Sequence, residues 1–242
     1  CNIPFAQLGI ALGQDAIARQ AKAFGFGESI SIPLKSTASV YPENLDDAQT
    51  ALTAFGQFDV RVSPLQMAMV SASIANAGIE MKPYLVKQIF TSNLTVLEEG
   101  KPIEIGRSIT TSTAERLKSM MVAAVSSGVS SNAGIPGIKV AGKTGTANRF
   151  NDKCRCYSGY TASFIGFAPA EKPRFVMSIT IQDPKGIHWG GYLGGPVFKE
   201  VISYALKSYQ IAPSGKLNEP YPLDAATLKK REKITAAAEV KD

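Results

Sequence analysis

Val140-Ala141-Gly142-Lys143-Thr144-Gly145-Thr146-Ala147 is the stretch on which the fold turns. Two shapes compete for it. Extended upstream, Gly137-Ile138-Lys139-Val140-Ala141-Gly142-Lys143-Thr144 satisfies every fixed position of G-x-x-x-x-G-K-[ST]. In that loop the amides cradle phosphates and the lysine reaches the outer oxygens. Read instead as a strand, the same residues place Thr144 and Thr146 on one face, alternating with Gly145. Context favours the strand. A phosphate loop needs a buried strand before it and a helix opening at Lys-Thr. Here polar residues 126–134 precede it, and Gly145 is a poor first-turn residue. Ile138-Lys139-Val140 alternates as a strand does, and Asn148-Arg149-Phe150 brings no helical period. Residues 175–183 resemble the acid-tipped strand of a nucleotide site, but apolar strands ending in Asp are common. The bland reading is a surface strand with an incidental Lys-Thr-Gly.

Outward from this stretch, residues 138–146, 161–168 and 174–181 read as three strands. In the third, Phe175, Met177, Ile179 and Ile181 alternate with smaller or more polar residues. The short link 169–173 suits antiparallel neighbours. Residues 190–195 read as a glycine-rich turn, and Pro196 as the opening of a last helix with Phe198, Val201, Ile202 and Ala205 on one face. Upstream, Ser112-Thr113-Ala114-Glu115 has the spacing of a capping box, before a helix carrying Leu117, Met120, Met121 and Ala124. Residues 84–90 read as a strand and 93–106 as a hairpin or polar excursion. Pro64 starts a helix whose apolar stripe is Leu65, Ala68, Met69, Ala72 and Ala75, its methionines read as core. Residues 46–55 read as a short helix ending at Gly56. Residues 15–24 read as a helix with Asp15 as N-cap and Gly25 as its stop. Helices, then strands, then a helix give an α+β fold, an antiparallel sheet flanked by helices. Residues 1–209 are expected to form this unit and 210–242 a Pro-, Lys- and Ala-rich tail.

The 242 residues are 45% hydrophobic and 19% charged, which excludes a disordered chain. No apolar run approaches the ~18 residues of a membrane span. The net charge of +6 points to an anionic partner. Between Lys139 and Arg155 there are five cations (Lys139, Lys143, Arg149, Lys153, Arg155) and one acid, Asp152, so this window supplies +4 of it. Three cysteines and one histidine, His188, do not space as a zinc site, so no metal or cofactor is expected. A lone histidine also disfavours a Ser-His-Asp triad, and nucleophilic chemistry would need lysine as its base. His188 and Trp189 read as packing and surface residues. Cys154 and Cys156 are two apart, and free thiols or a strained mutual bridge stand level.

Lys143-Thr144-Gly145-Thr146 within Val-Ala-Gly-Lys-Thr-Gly-Thr-Ala resembles the third motif of the penicillin-binding protein transpeptidases. Gly56-Gln57, then Ser63-Pro64-Leu65-Gln66-Met67-Ala68 and Ala75-Asn76-Ala77-Gly78, resemble the helix preceding that motif in the class B, monofunctional group. Tyr160-Thr161-Ala162-Ser163-Phe164-Ile165-Gly166-Phe167-Ala168-Pro169 resembles the strand after it, and Pro196-Val197-Phe198 the start of the final helix. The likeness covers about residues 1–209 and leans towards the actinobacterial division-type enzymes.

The resemblance implies peptidoglycan D,D-transpeptidation, with stem peptides as substrates and β-lactams as inhibitors. It implies that Lys143 lends charge, that Thr144 and Thr146 hold the terminal carboxylate, and that Gly145 lets substrate lie against the strand. The Thr146 N–H is the expected second oxyanion donor. The family's other motifs are S-x-x-K and S-x-N. Cys1-Asn2 resembles the last two positions of S-x-N, so Asn2 would hold the substrate amide. No serine has a lysine three residues on in a suitable place. The chain is therefore expected to be the C-terminal part of its domain, without nucleophile, and inactive alone. Expected partners are the rest of the domain and membrane proteins of division or elongation, with no nucleic acid. The expected location is the extracytoplasmic face of the plasma membrane, by an anchor outside this chain. The alternatives are a nucleotide-binding protein using residues 137–144, or a non-catalytic binding fragment.

Overall fold

A computed structural model describes residues 2–151 and 153–213. Six α-helices and seven strands are found among them. The first helices are α1 (Asn2–Leu12), α2 (Gln14–Ala23), α3 (Asp47–Thr53) and α4 (Pro64–Ala75). Four short strands follow, β1 (Ile79–Met81), β2 (Gln88–Phe90), β3 (Val96–Glu99) and β4 (Glu104–Arg107). Then come α5 (Thr111–Ser126), the long strands β5 (Ala141–Asn151), β6 (Cys156–Ala168) and β7 (Phe175–Gln182), and α6 (Gly190–Ser208). No helix among the described residues is long and apolar enough to cross a membrane.

The central sheet is antiparallel in the order β5-β6-β7, as the short connections require. Its two faces bury different residues because side chains alternate along each strand. Phe164 and Ile179 face α6, where Phe198, Ile202 and Leu206 close one core with Val125 of α5. Ala141, Phe167 and Val176 are partners across the sheet and face the other way, against Ile74 of α4 and Met121 of α5. Thus α5 packs against the start of β5 and contributes to both cores. The expected α+β layering is the observed one.

Several boundaries differ from the sequence reading. The N-cap of α5 is Thr110, whose hydroxyl accepts from the Thr113 N–H at 3.1 Å. The Ser112 capping box does not form. Arg107 ends β4 and donates to the carbonyls of Ala77 and Ile109, which fixes the helix start two residues earlier. Gly13, not Asp15, is the cap position of α2, because α1 runs directly into it; Asp15 lies in the first turn, where its charge suits the helix dipole. Gly25 does stop α2, with φ +85. In α4, Pro64 leads as expected, with Ser63 as the N-cap, but the buried positions are Gln66, Ser71, Ser73 and Ile74 rather than the apolar stripe. Residues 84–90 give strand only at Gln88–Phe90, since only those pair, with β3. β4 pairs instead with β1.

The largest revision concerns residues 190–195. They are the first two turns of α6, with Pro196 inside the helix. Their glycines permit a close approach that side chains would block. A Cβ on Gly190 would overlap the carbonyls of Ser163 and Gly145, and one on Gly194 would meet the Phe164 side chain at 2.6 Å. α6 ends at Ser208 with Tyr209 as its C-cap, and Ile211, inside the expected 210–242 tail, still packs on the core. Residues 214–242 lie outside the described residues.

Candidate active site

Residues 141–151 form one strand, regular through Asn148 and shifted in register before Phe150, so the phosphate-loop reading of residues 137–144 is overturned. Gly142 pairs with Gly166, Lys143 with Ile165 and Thr144 with Phe164, and no helix opens at Lys143-Thr144. Asp183, the acid of the would-be nucleotide site, is exposed and engaged by Lys185 at 2.7 Å. That hydrogen bond and charge hold its carboxyl below the usual range, helped by Arg149.

β5 is an edge strand, bonded to β6 on one side only. Its other edge is reached by Gln57, whose Nε2 donates to the Thr146 carbonyl and whose Oε1 accepts from the Asn148 N–H, each at 3.3 Å. The N–H and C=O of one strand residue point to the same side, so the Thr146 N–H is also on this open edge. Gln57 thus reads the strand as an amide of another chain would. Sequence reading noted Gln57 only within a resemblance; its contact spans 89 positions, and no local signal reports it.

The motif side chains divide by alternation. Thr144 and Thr146 face the start of α6. The Gly190 N–H, the first of that helix, donates to Thr146 Oγ1 at 3.4 Å. The positive end of the helix dipole therefore adjoins this hydroxyl. A Cβ on Gly145 would overlap Ser163 Oγ, which would have to turn aside to admit it. Lys143 leaves from the opposite face, and its Nζ donates to the Thr144 carbonyl at 2.5 Å. Its side chain reaches the surface, yet loss of water around the ammonium lowers its pKa from the ordinary 10.5. A cation, a helix N-terminus, two hydroxyls and the Thr146 edge N–H lie on one short run. That set is suited to an extended peptide ending in a carboxylate.

Asn2 makes no side-chain hydrogen bond to this group among the described residues. It is exposed in the first turn of α1. His188 stacks on Tyr160 with ring centroids 3.9 Å apart, and Trp189 packs against His188 just before α6. These rings border the Thr146 end of the site as packing and surface groups. Cys154 and Cys156 are joined by a disulfide at the β5–β6 turn, which decides between the two expectations held for them. A cavity of about 680 Å³ lies between α2 and residues 38–43, away from the motif. The motif site is an open strand edge rather than a closed pocket.

Known proteins carry the same arrangement. The family model for the penicillin binding protein transpeptidase domain matches residues 1–203. Stage V sporulation protein D of Bacillus subtilis is 32% identical over 218 residues, 88% of this chain and 34% of that protein. Peptidoglycan D,D-transpeptidase PbpA of Mycolicibacterium smegmatis is 34% identical over 210 residues, 86% of this chain and 42% of that one. Among solved structures, penicillin-binding protein A from Mycobacterium tuberculosis, as a ceftriaxone acyl-enzyme complex, superposes with a TM-score of 0.79 and 34% identity. That match covers 85% of this chain and 46% of the other. The chain thus spans between a third and a half of the proteins it matches. The matched residues include the motif strand, its partner β6 and most of α6, and the chain belongs to the penicillin-binding protein transpeptidase domain family.

Proposed function

We propose that this chain is the carboxylate-binding part of a serine D,D-transpeptidase that cross-links peptidoglycan. The observation that carries the reading is Lys143-Thr144-Gly145-Thr146 on an open strand edge against the N-terminus of α6. A stem peptide lies antiparallel to that edge, with its terminal carboxylate near Lys143 and the hydroxyls of Thr144 and Thr146. A serine from outside these residues attacks the penultimate D-Ala carbonyl. The Thr146 N–H receives the developing oxyanion, a role worth ~3–4 kcal/mol in serine hydrolases. D-Ala leaves, and an amine of a second stem resolves the acyl-enzyme. Asn2 holds the substrate amide once the rest of the domain is in place. β-Lactams enter the same edge, in keeping with the acyl-enzyme complex of the mycobacterial relative. Names such as FtsI and PbpB among the relatives favour a role in division, on the extracytoplasmic face of the membrane and beside other membrane proteins of that machinery.

The test uses fluorescent penicillin on two forms of the protein. The 242-residue chain alone is expected to stay unlabelled, and the protein carrying the preceding part of the domain to label at one serine. Stoichiometric acylation of the 242-residue chain would overturn the assignment of the nucleophile. Failure of the longer form to label would overturn the function.

A further inference from the structure

The charged window identified in the sequence extends well past the motif. Lys143 serves the site, but Arg149, Lys153 and Arg155 follow it to the far end of β5 and into the β5–β6 turn. In the sequence, residues 149–155 carry three cations and one acid. Lys153 and Arg155 have no ion pair among the described residues, while Arg149 lies within electrostatic reach of Asp183. Phe150 and Tyr157 sit opposite each other across the hairpin, edge to face, with centroids 5.7 Å apart. They are 49% and 56% exposed, so this pair is not core. The Cys154–Cys156 bridge closes the turn, with Arg155 between them in the left-handed region at φ +51. A side chain at such a φ is uncommon without something to hold it. The bridge therefore fixes where the Arg155 and Lys153 side chains leave the turn.

We propose that this bridged tip is a docking arm for a carboxylate-bearing glycan strand. Sugar rings lie against Phe150 and Tyr157, which removes apolar ring faces from water. Lys153 and Arg155, with Arg149 behind them, meet carboxylates of stem peptides along the strand. The choice of occupant comes from continuity with the motif. Phe150 is seven residues beyond Lys143 on the same strand, roughly 23 Å away at ~3.3 Å per residue. A single stem peptide held at the motif does not span that distance, whereas the polymer bearing many stems does. The proposal rests on the transpeptidase reading for the identity of the polymer.

Binding is measured on the protein with its complete domain, using a soluble un-cross-linked peptidoglycan strand, the same strand with its carboxylates amidated, and a free stem peptide ending in D-Ala-D-Ala. K153A/R155A is expected to weaken strand binding roughly fivefold, as two exposed ion pairs would. Its affinity for the free stem peptide and its melting temperature are expected to stay unchanged. F150A and C154S/C156S are expected to weaken strand binding in the same selective way, and amidation to remove the effect of K153A/R155A. Unchanged strand binding in K153A/R155A overturns the proposal, as does equal loss for strand and free peptide. Charge-dependent binding to vesicles of phosphatidylcholine and phosphatidylglycerol, lost in K153A/R155A while strand binding persists, overturns it in favour of a membrane surface. If the free stem peptide does not bind the unmodified protein, the transpeptidase reading fails instead.

Discussion

Lys143 is under two opposed demands. On the proposed reading its ammonium must be charged to hold a carboxylate, yet partial loss of water favours the neutral amine and lowers its pKa below 10.5. Carboxylate binding is therefore expected to hold through neutral pH and to fall, as pH rises, earlier than for an ordinary lysine. Titration calorimetry with a D-Ala-D-Ala peptide between about pH 7 and 11 follows this directly. Lys143→Ala removes a charged hydrogen bond worth ~1.5–3 kcal/mol, or roughly 10- to 100-fold in affinity. Lys143→Arg keeps its charge throughout that range, and an alkaline limb that persisted in it would assign the titration to another group. The same sign logic applies at Glu80. It is 8% exposed and its Oε1 has no partner among the described residues. Burial raises its pKa above 4.5, while the Ser108 hydroxyl acts in the opposite sense. The folded state thus holds the proton more tightly than the unfolded chain. Its contribution to stability is full below about pH 4.5 and is lost as pH rises through the raised value. Glu80→Gln mimics the protonated form. It is expected to leave stability unchanged near pH 4 and to raise it at pH 7 by about 1 kcal/mol, the low end of the cost of an unpaired buried group. Urea unfolding at both pH values checks it, and destabilisation at pH 7 would show that the charge has a partner.

Among the elements, α6 is where the site and the core meet. Its first turn sits against β5 because Gly190 and Gly191 bring no side chain. Helix propensity alone predicts that Gly190→Ala gains up to ~1 kcal/mol. Overlap with the Ser163 and Gly145 carbonyls opposes this and costs ~1–3 kcal/mol, so the substitution is expected to lower stability. It should also weaken D-Ala-D-Ala peptide binding, because the Gly190 N–H must then leave Thr146. Thermal melting and calorimetry of one variant test both, and a stabilised variant with intact binding would refute the packing argument. The glycines also explain a failed reading. Gly190, Gly191, Gly194 and Gly195 follow one another at helical spacing, a small-residue face for close packing, but glycine itself speaks for a turn. Local chemistry made the rest of the neighbourhood legible. The alternation around Lys143 and Thr146 identified a strand, and Pro64 identified a helix start. The capping reading failed at Ser112 because Thr110 offers the same hydroxyl two residues earlier, and only the tertiary contacts of Arg107 choose between them. Gln57 was beyond reach for a similar reason, since its role depends on which strand the fold brings beside it.

At the scale of the molecule, apolar surface is distributed unevenly. The sheet and its two cores are well covered, but α1 is not. Gly9 is its buried position, against Ala54 after α3, whereas Ile3, Phe5, Leu8, Ile10 and Leu12 are between 49% and 66% exposed. Each such side chain gains ~1.5–3 kcal/mol when fully covered, so an uncovered helix of this composition is a strong site for association. Among the described residues β7 pairs with β6 alone, so its outer edge presents backbone groups that invite another strand. The matched relatives are more than twice as long as this chain, so much of their structure has no counterpart in these residues. The 242-residue chain expressed by itself is therefore expected to bind a hydrophobic dye, to self-associate on size-exclusion chromatography, and to unfold with a broad, low transition. Phe5→Lys with Leu8→Lys is expected to reduce both dye binding and self-association while the far-ultraviolet circular dichroism stays the same, because neither side chain is in the core. A monomeric, dye-silent chain with a sharp transition at high temperature would mean that its exposed helix face is already satisfied, and that the sheet and α6 suffice to hold the fold.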